Sequence, residues 1–250
     1  MKKEVLLSIL LLLPMLVRAY VGYVKINGLY YYVNTPEGYA TVENHRGNSE
    51  LSGSIVIPST IVYDGVTCTV TSIGSEAFAH CYKITSVTIP NTVTTIHDNA
   101  FNSCQSLTSI VIPNSVTSIK RSAFNNCNLK LVKIPNSVKE LESWCFSNNK
   151  NLRSASIPAS LKKTGHEIFK NTALKTVTIR NVNGTTKQSR DKKWFQSDDA
   201  SSFAPVSSSP NYSSSSSSSS GWEEAQEILA IEEGRKSYPA IKNYWCPIKN

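Results

Sequence analysis

A segment of about 23 residues occurs five times between Val70 and Arg180. The copies begin at Val70, Val93, Val116, Val138 and Leu161, so successive starts lie 23, 23, 22 and 23 residues apart. A fixed period of this length is typical of a repeat solenoid, in which each copy forms one coil and stacks on its neighbours. The repeat predicts the fold well. It says less about function, because the surface of a repeat array can be fitted to many partners.

Each copy contains two apolar stretches, with the patterns V-x-x-I-x-x-x-A-F and L-x-x-V-x-I-P. In the second copy they span residues 93–101 and 107–113, with Ile110 in place of the valine. The second spacing is that of a leucine-rich repeat with a short parallel strand that the proline ends. Strand alternation turns Ile110 and Ile112 inward, and it turns Ser109 and Val111 outward. We expect the Ala-Phe pair to lie on a short helical turn, with the five rings in one buried column. The rings are those of Phe78, Phe101, Phe124, Phe146 and Phe169.

Residues 1–19 have the features of a secretory signal peptide. Lys2 and Lys3 precede an apolar run over residues 5–13, and the small-residue pattern at residues 17–19 suits a cleavage site. A membrane anchor is the alternative, but a serine, a proline and an arginine interrupt the run, and a spanning helix needs about 20 apolar residues. We therefore expect an exported chain, secreted or at the cell surface, with no stable membrane insertion after cleavage.

Residues 20–69 are predicted to form an N-terminal β cap that shields the apolar end of the solenoid. Asn27-Gly28 and Asp64-Gly65 each lie between β-rich runs, which predicts two hairpins. Beyond the repeats at residues 70–182, we expect a serine-rich disordered linker over residues 183–221. A short amphipathic helix and tail are expected over residues 222–250.

Cys81, Cys104 and Cys127 are spaced by 23 residues, and Asn149 and Thr172 continue their column. This pattern is typical of the buried ladder of small side chains in leucine-rich repeats. Stacked coils lie ~4.8 Å apart, so a Cys104–Cys127 disulfide is compatible with the spacing but is not implied by it. The spacing does not favour a zinc site, because the sequence contains no C-x-x-C pair.

The sequence offers no motif for catalysis. The four histidines lie outside any metal or nucleophile motif, and no phosphate-binding loop, H-E-x-x-H or G-x-S-x-G is present. His80 adjoins Cys81, but neighbours in sequence rarely present both groups to one substrate. We predict no catalytic residue, no bound metal and no cofactor.

The combination of I-G-x-x-A-F-x-x-C with L-x-x-V-x-I-P resembles the BspA-like leucine-rich repeats of bacterial surface proteins, over roughly residues 22–182. The resemblance implies an extracellular, non-enzymatic protein, because members are associated with adhesion to host matrix, host cells or other bacteria. No fixed ligand-binding residues define the family. The fifth copy departs from the pattern at Thr164, where an aliphatic residue is expected, and at Arg180, where proline is expected.

The net charge of +8 is concentrated in the repeats: residues 20–69 sum to −2 and residues 70–182 to +8. One hypothesis is a binding protein that holds a host or bacterial surface protein or an anionic glycan on its strand face. Nucleic acid is disfavoured because the chain is expected to be exported. The alternatives are a merely solvated basic surface and a structural or accessory protein with no soluble ligand. The candidate binding residues are Lys130, Lys133, Arg153, Lys175, Ser109, Val111, Leu131 and Ser154.

Overall fold

The computed structural model describes residues 19–44, 50–181 and 186–191. The predicted signal segment before Ala19 and the predicted terminal helix lie outside these residues. No helix in the described part of the chain is long and apolar enough to cross a membrane. The fold is a stack of leucine-rich-repeat coils made of short parallel strands and turns. We number the coils 1 to 5 from the start of each sequence copy.

An antiparallel sheet precedes the coils. Strand β1 (Val21–Ile26) pairs with β2 (Leu29–Asn34), which pairs with β3 (Tyr39–Glu43). The turn between β1 and β2 has φ of 49° at Asn27 and 84° at Gly28, as a two-residue hairpin with positive φ at both positions requires. This predicted hairpin is confirmed.

The second predicted hairpin is also confirmed. Strand β5 (Thr60–Tyr63) pairs antiparallel with β6 (Val66–Ile73), and Asp64 and Gly65 both have positive φ. Strand β6 also pairs parallel with β3, so the front sheet runs directly into the coils. Strand β4 (Ser52–Val56) pairs parallel with β7 (Lys83–Thr88) of coil 1.

The coils form two parallel ladders, one from each apolar stretch. The first ladder extends from β6 through β8 (Thr95–Ile96), β9 (Ser118–Ile119), β11 (Glu140–Leu141) and β13 (Lys163–Thr164). The second ladder contains β10 (Leu131–Lys133), β12 (Ser154–Pro158) and β14 (Thr176–Arg180). Residues 108–112 of coil 2 follow the same path without strand pairing, although Lys130 N–H donates to the Thr108 carbonyl at 3.0 Å. Ile110 and Ile112 are buried there, as the alternation predicted.

The phenylalanine column is confirmed. All five rings are fully buried, and successive rings stack with centroids 5.0, 5.0, 5.3 and 5.9 Å apart. A buried ring contributes ~2–3 kcal/mol by transfer from water, and each stacked pair adds roughly 0.5–1.5 kcal/mol. The column therefore holds each coil to the next along the whole array.

The predicted helical turn at each Ala-Phe pair is wrong. In coil 1, Glu76 and His80 have φ of 58° and 59°, which interrupts a helix, and consecutive β-turns take its place. Phe78 N–H donates across to the Ala100 carbonyl of coil 2 at 2.7 Å, whereas Ala77 N–H closes a turn within coil 1. Alternate N–H groups thus bond between coils, which a helix cannot do. The equivalent positive-φ pairs are Asn99 and Ser103, Ser122 and Asn126, Trp144 and Asn148, and Glu167 and Asn171.

The array ends in a strand that the composition did not predict. Strand β15 (Thr186–Asp191) pairs antiparallel with β14 and lies inside the segment that we expected to be disordered. Composition predicted poor burial there, but β14 presents an open row of backbone groups, and an antiparallel strand satisfies them without an apolar core. The serine-rich remainder of that segment lies outside the described residues.

Candidate ligand-binding face

The cysteine column is part of the packing, as the sequence indicated. The thiols of Cys104 and Cys127 each donate to a phenylalanine carbonyl of the preceding coil at 3.1 Å, those of Phe78 and Phe101. Asn149 continues the pattern, with its amide donating to the Phe124 carbonyl at 2.8 Å. These column side chains are buried, so they satisfy backbone carbonyls between coils and are not available to a ligand.

The cysteines of the described residues are free thiols. Burial raises the pKa of Cys81 to about 12, and the neighbouring Cys127 thiol, together with burial, raises the pKa of Cys104. A thiol with a raised pKa is a poor nucleophile and a poor metal ligand. Within the described ranges, no group of three or more His, Cys, Asp or Glu side chains lies close enough to hold a metal ion.

The candidate basic residues lie on the outward side of the second ladder. Arg153 N–H donates to the Lys130 carbonyl at 3.0 Å, which places these two residues side by side on coils 3 and 4. The parallel register continues from Ser156 to Thr178, so Lys175 occupies the same column on coil 5. All three basic side chains are exposed. The structure thus brings Lys130, Arg153 and Lys175 into one row, the basic row.

The other candidate residues flank the basic row. Leu131 and Ser154 are register partners, and Lys133 lies two residues farther along, opposite Ser156. Leu131 and Lys133 are half-buried, and Ser154 is exposed. Ser109 and Val111 are half-buried one coil earlier. The candidate residues therefore belong to one continuous face, which we call the second-ladder face.

Charge is segregated between the two halves of the coils. The segments that form the second ladder (83–91, 105–114, 128–137, 150–160 and 173–181) contain seven basic residues and no Asp or Glu. The basic residues are Lys83, Lys130, Lys133, Lys150, Arg153, Lys175 and Arg180. The five acidic residues of the repeats, Glu76, Asp98, Glu140, Glu142 and Glu167, all lie in the other half. Counting charge over whole repeats concealed this asymmetry, although the sequence contains it.

Acidic partners neutralise charge in the first-ladder half. Lys120 Nζ lies 3.3 Å from a Glu140 carboxylate oxygen and 3.0 Å from one of Glu142. The hydrogen bond from Lys120 and its charge lower the pKa of Glu140. Surface pairs of this kind contribute little to stability, ~0–1 kcal/mol, but they remove net charge from that face.

Arg180 adds a fixed guanidinium to the second-ladder face. It stands where the earlier coils have proline, and its side chain reaches back across two coils. Nη2 donates to the Ile134 carbonyl at 2.6 Å, and Nε donates to Ser156 Oγ at 3.1 Å. The sequence marked this position only as a departure from the repeat. In the structure, these two hydrogen bonds connect coil 5 to coils 3 and 4 on the outward side.

A second polar cluster joins three coils on the turn side, and sequence reasoning missed it. Trp144 has a positive φ of 60°, which is unusual for a bulky residue. Its indole N–H donates to Glu167 at 2.7 Å, and the Arg121 guanidinium lies 4.8 Å from the centroid of its ring. The hydrogen bond and the cation–π contact support a strained backbone. The sequence contains no signal for this cluster, because tryptophan occurs only once in its column of the repeat.

Known proteins place this arrangement in a family. The family model described as BspA type leucine-rich repeat region matches residues 71–193 in six copies. Residues 71–193 are a BspA-type leucine-rich-repeat region. The match begins within strand β6 and ends at residue 193, beyond the limit of 182 that the sequence resemblance suggested. BspA-type repeats are a family of non-enzymatic repeats.

Solved structures with the same fold come from bacteria. The T. pallidum leucine-rich-repeat protein TpLRR has a TM-score of 0.55 and 25% identity over 62% of this chain and 70% of its own. The pneumococcal vaccine antigen PcpA has a TM-score of 0.51 and 23% identity over 66% of this chain and 54% of its own. A comparison with curated proteins finds no match. These likenesses support the leucine-rich-repeat architecture.

Proposed function

We propose that this protein is an exported, non-enzymatic binding protein that acts at or near the cell surface. Its ligand would contact the second-ladder face at Lys130, Lys133, Arg153 and Lys175, flanked by the hydroxyl and aliphatic side chains already described. The single observation that carries the proposal is the concentration of seven basic residues, five of them exposed, in second-ladder segments that contain no Asp or Glu.

The separation of buried and outward positions within each coil supports this proposal. The inward phenylalanine, cysteine and aliphatic columns are buried, so packing fixes their identity. The outward positions are under no such constraint. They change along the array, as in the outward column Thr88, Val111, Lys133, Ser156 and Thr178. Members of the family are associated with adhesion, and variable outward positions on a fixed scaffold suit that role.

A binding screen with the mature chain, residues 20–250, tests the proposal. The chain is applied to an array of host matrix proteins, bacterial surface proteins and glycans, and the hits are measured again with a variant that reverses Lys130, Lys133, Arg153 and Lys175 to Glu. We expect at least one specific ligand whose binding weakens in the variant. If no component of the array binds and the chain is retained at the cell surface of its source, a structural role replaces this proposal.

A further inference from the structure

We infer that the ligand of the second-ladder face is a linear sulfated glycan, laid across coils 3 to 5 along the direction in which the coils stack. This inference rests on the proposed function and names the chemical class of its ligand. Three observations favour it: the charge composition of the face, the spacing of its basic row, and the kinds of side chain that surround the row.

The charge composition favours a polyanion. The second-ladder segments contain seven basic residues and no Asp or Glu, and β15, which extends the same sheet beside β14, adds Lys187, Arg190 and Asp191. A surface of one sign concentrates ligands of the opposite sign and raises their association rate. The second-ladder face is therefore suited to a ligand with many negative charges.

The spacing of the basic row favours a linear ligand. Lys130, Arg153 and Lys175 stand on three consecutive coils, and parallel strands lie ~4.8 Å apart, so the row spans roughly 10 Å. Coils 1 and 2 contribute only Lys83 to the face, while coils 3 to 5 contribute the other six basic residues. A regularly charged chain can follow this row, with one anionic group at each coil.

The surrounding side chains favour a glycan over a protein. Protein interfaces depend on buried anchors, which are most often Trp, Tyr or Arg. The second-ladder segments contain no aromatic residue, and Arg180 is engaged with Ile134 and Ser156. The basic row is instead bordered by Leu131 and by the hydroxyl side chains of Ser154 and Thr176, with Thr178 two residues farther along. Lysine, arginine and hydroxyl groups supply charge and hydrogen bonds to sulfate and sugar oxygens without needing an apolar anchor.

The experiment compares two charge-reversal variants of the mature chain. In the face variant, Lys130, Arg153 and Lys175 are each changed to Glu. In the matched control variant, the same change is made at Lys139, Lys162 and Lys163, which lie in the first-ladder half. Both variants change the net charge equally, and thermal unfolding verifies that each one folds. A milder face variant with Gln at the three positions replaces the first if that one fails to fold.

The probes are size-defined heparin oligosaccharides, the same oligosaccharides after removal of sulfate, and poly-glutamate. We expect the unaltered chain to bind heparin and not its desulfated form. The face variant should bind about a hundredfold more weakly, from ~1 kcal/mol for each basic residue near a charged surface. The control variant should lose less than about threefold, because longer-range charge is screened by salt. The salt dependence should also fall by a slope of about two in the face variant, for three lost contacts.

Several outcomes would overturn the inference. Equal losses in the two variants would show attraction by net charge alone. Equal binding of poly-glutamate and heparin would favour an acidic protein. If the chain does not bind heparin but binds a protein on the array, the proposed function stands and the sulfated-glycan inference is wrong. If the chain binds nothing in either assay, both the inference and the proposed function are wrong.

Discussion

Replacing Asn149 with Ala should be far more damaging than replacing Cys127, its neighbour in the same column. The Asn149 amide donates to the carbonyls of Phe124 and Phe146 at 2.8 and 3.0 Å, and its oxygen accepts from Leu129 N–H at 3.1 Å. Its side chain is fully buried, so the alanine variant leaves these groups without that partner in the interior. At ~1–1.5 kcal/mol for each lost hydrogen bond, the expected loss in the free energy of unfolding is about 3–4 kcal/mol.

Replacing Cys127 with Ala should lower the free energy of unfolding by less. Its thiol makes one short contact, to the Phe101 carbonyl at 3.1 Å, and a thiol is a weak donor. We expect a loss of about 1 kcal/mol for Cys127→Ala. Replacing Asn149 with Cys, the residue that the column uses in coils 1 to 3, should recover part of the Asn149→Ala loss because the thiol can still donate to the preceding coil.

Urea unfolding, followed by circular dichroism and by fluorescence, measures these differences. Coincident transitions by the two probes establish that one cooperative unit is being compared. The free energy of unfolding is extrapolated to water for each variant. Losses within about 1 kcal/mol of each other for Asn149→Ala and Cys127→Ala would refute the reasoning, because the number of buried hydrogen bonds would then not determine the cost of a column position.

Three further predictions concern single positions. Phe124 stacks on two rings and Phe169 on one, so Phe124→Ala should lower the free energy of unfolding by about 1 kcal/mol more than Phe169→Ala does, measured by urea unfolding. Burial lowers the pKa of His97 from 6.5, so the folded state binds fewer protons than the unfolded chain and stability falls as pH drops below about 6.5. His97→Gln should flatten this dependence in unfolding measured from pH 8 to pH 5. Glu167→Gln should change the fluorescence of the chain, and the same change in a Trp144→Phe background should have no effect.

The buried columns could be predicted from the sequence because each recurs in every coil. The period and the apolar spacing are sufficient to place Phe124 inside and Ser109 outside. The local backbone at the Ala-Phe pair could not be predicted in the same way. A short apolar pair has the same pattern on a helical turn and on consecutive β-turns, and the choice depends on hydrogen bonds to the next coil, such as that from Phe78 to Ala100.

The features that break the repeat were the hardest to interpret. Arg180 and Trp144 each appear once in their columns, so periodicity gives no indication of their role. Their contacts span one or two coils and become visible only when coils 3 to 5 are stacked. Strand β15 was missed for a related reason, since its pairing depends on the open edge of β14 and not on its own composition.

The antiparallel strands at the two ends of the array limit how copies of this protein can assemble. A parallel coil can in principle accept another coil of the same kind on its open edge, and head-to-tail contacts of that type grow into fibres. At the front, strands β1 to β3 close the first ladder, and at the back, β15 closes the second. At each end of the array, an antiparallel strand therefore blocks one of the two ladders. A second copy cannot extend both ladders at the same time. These strands therefore oppose head-to-tail polymerisation of the array.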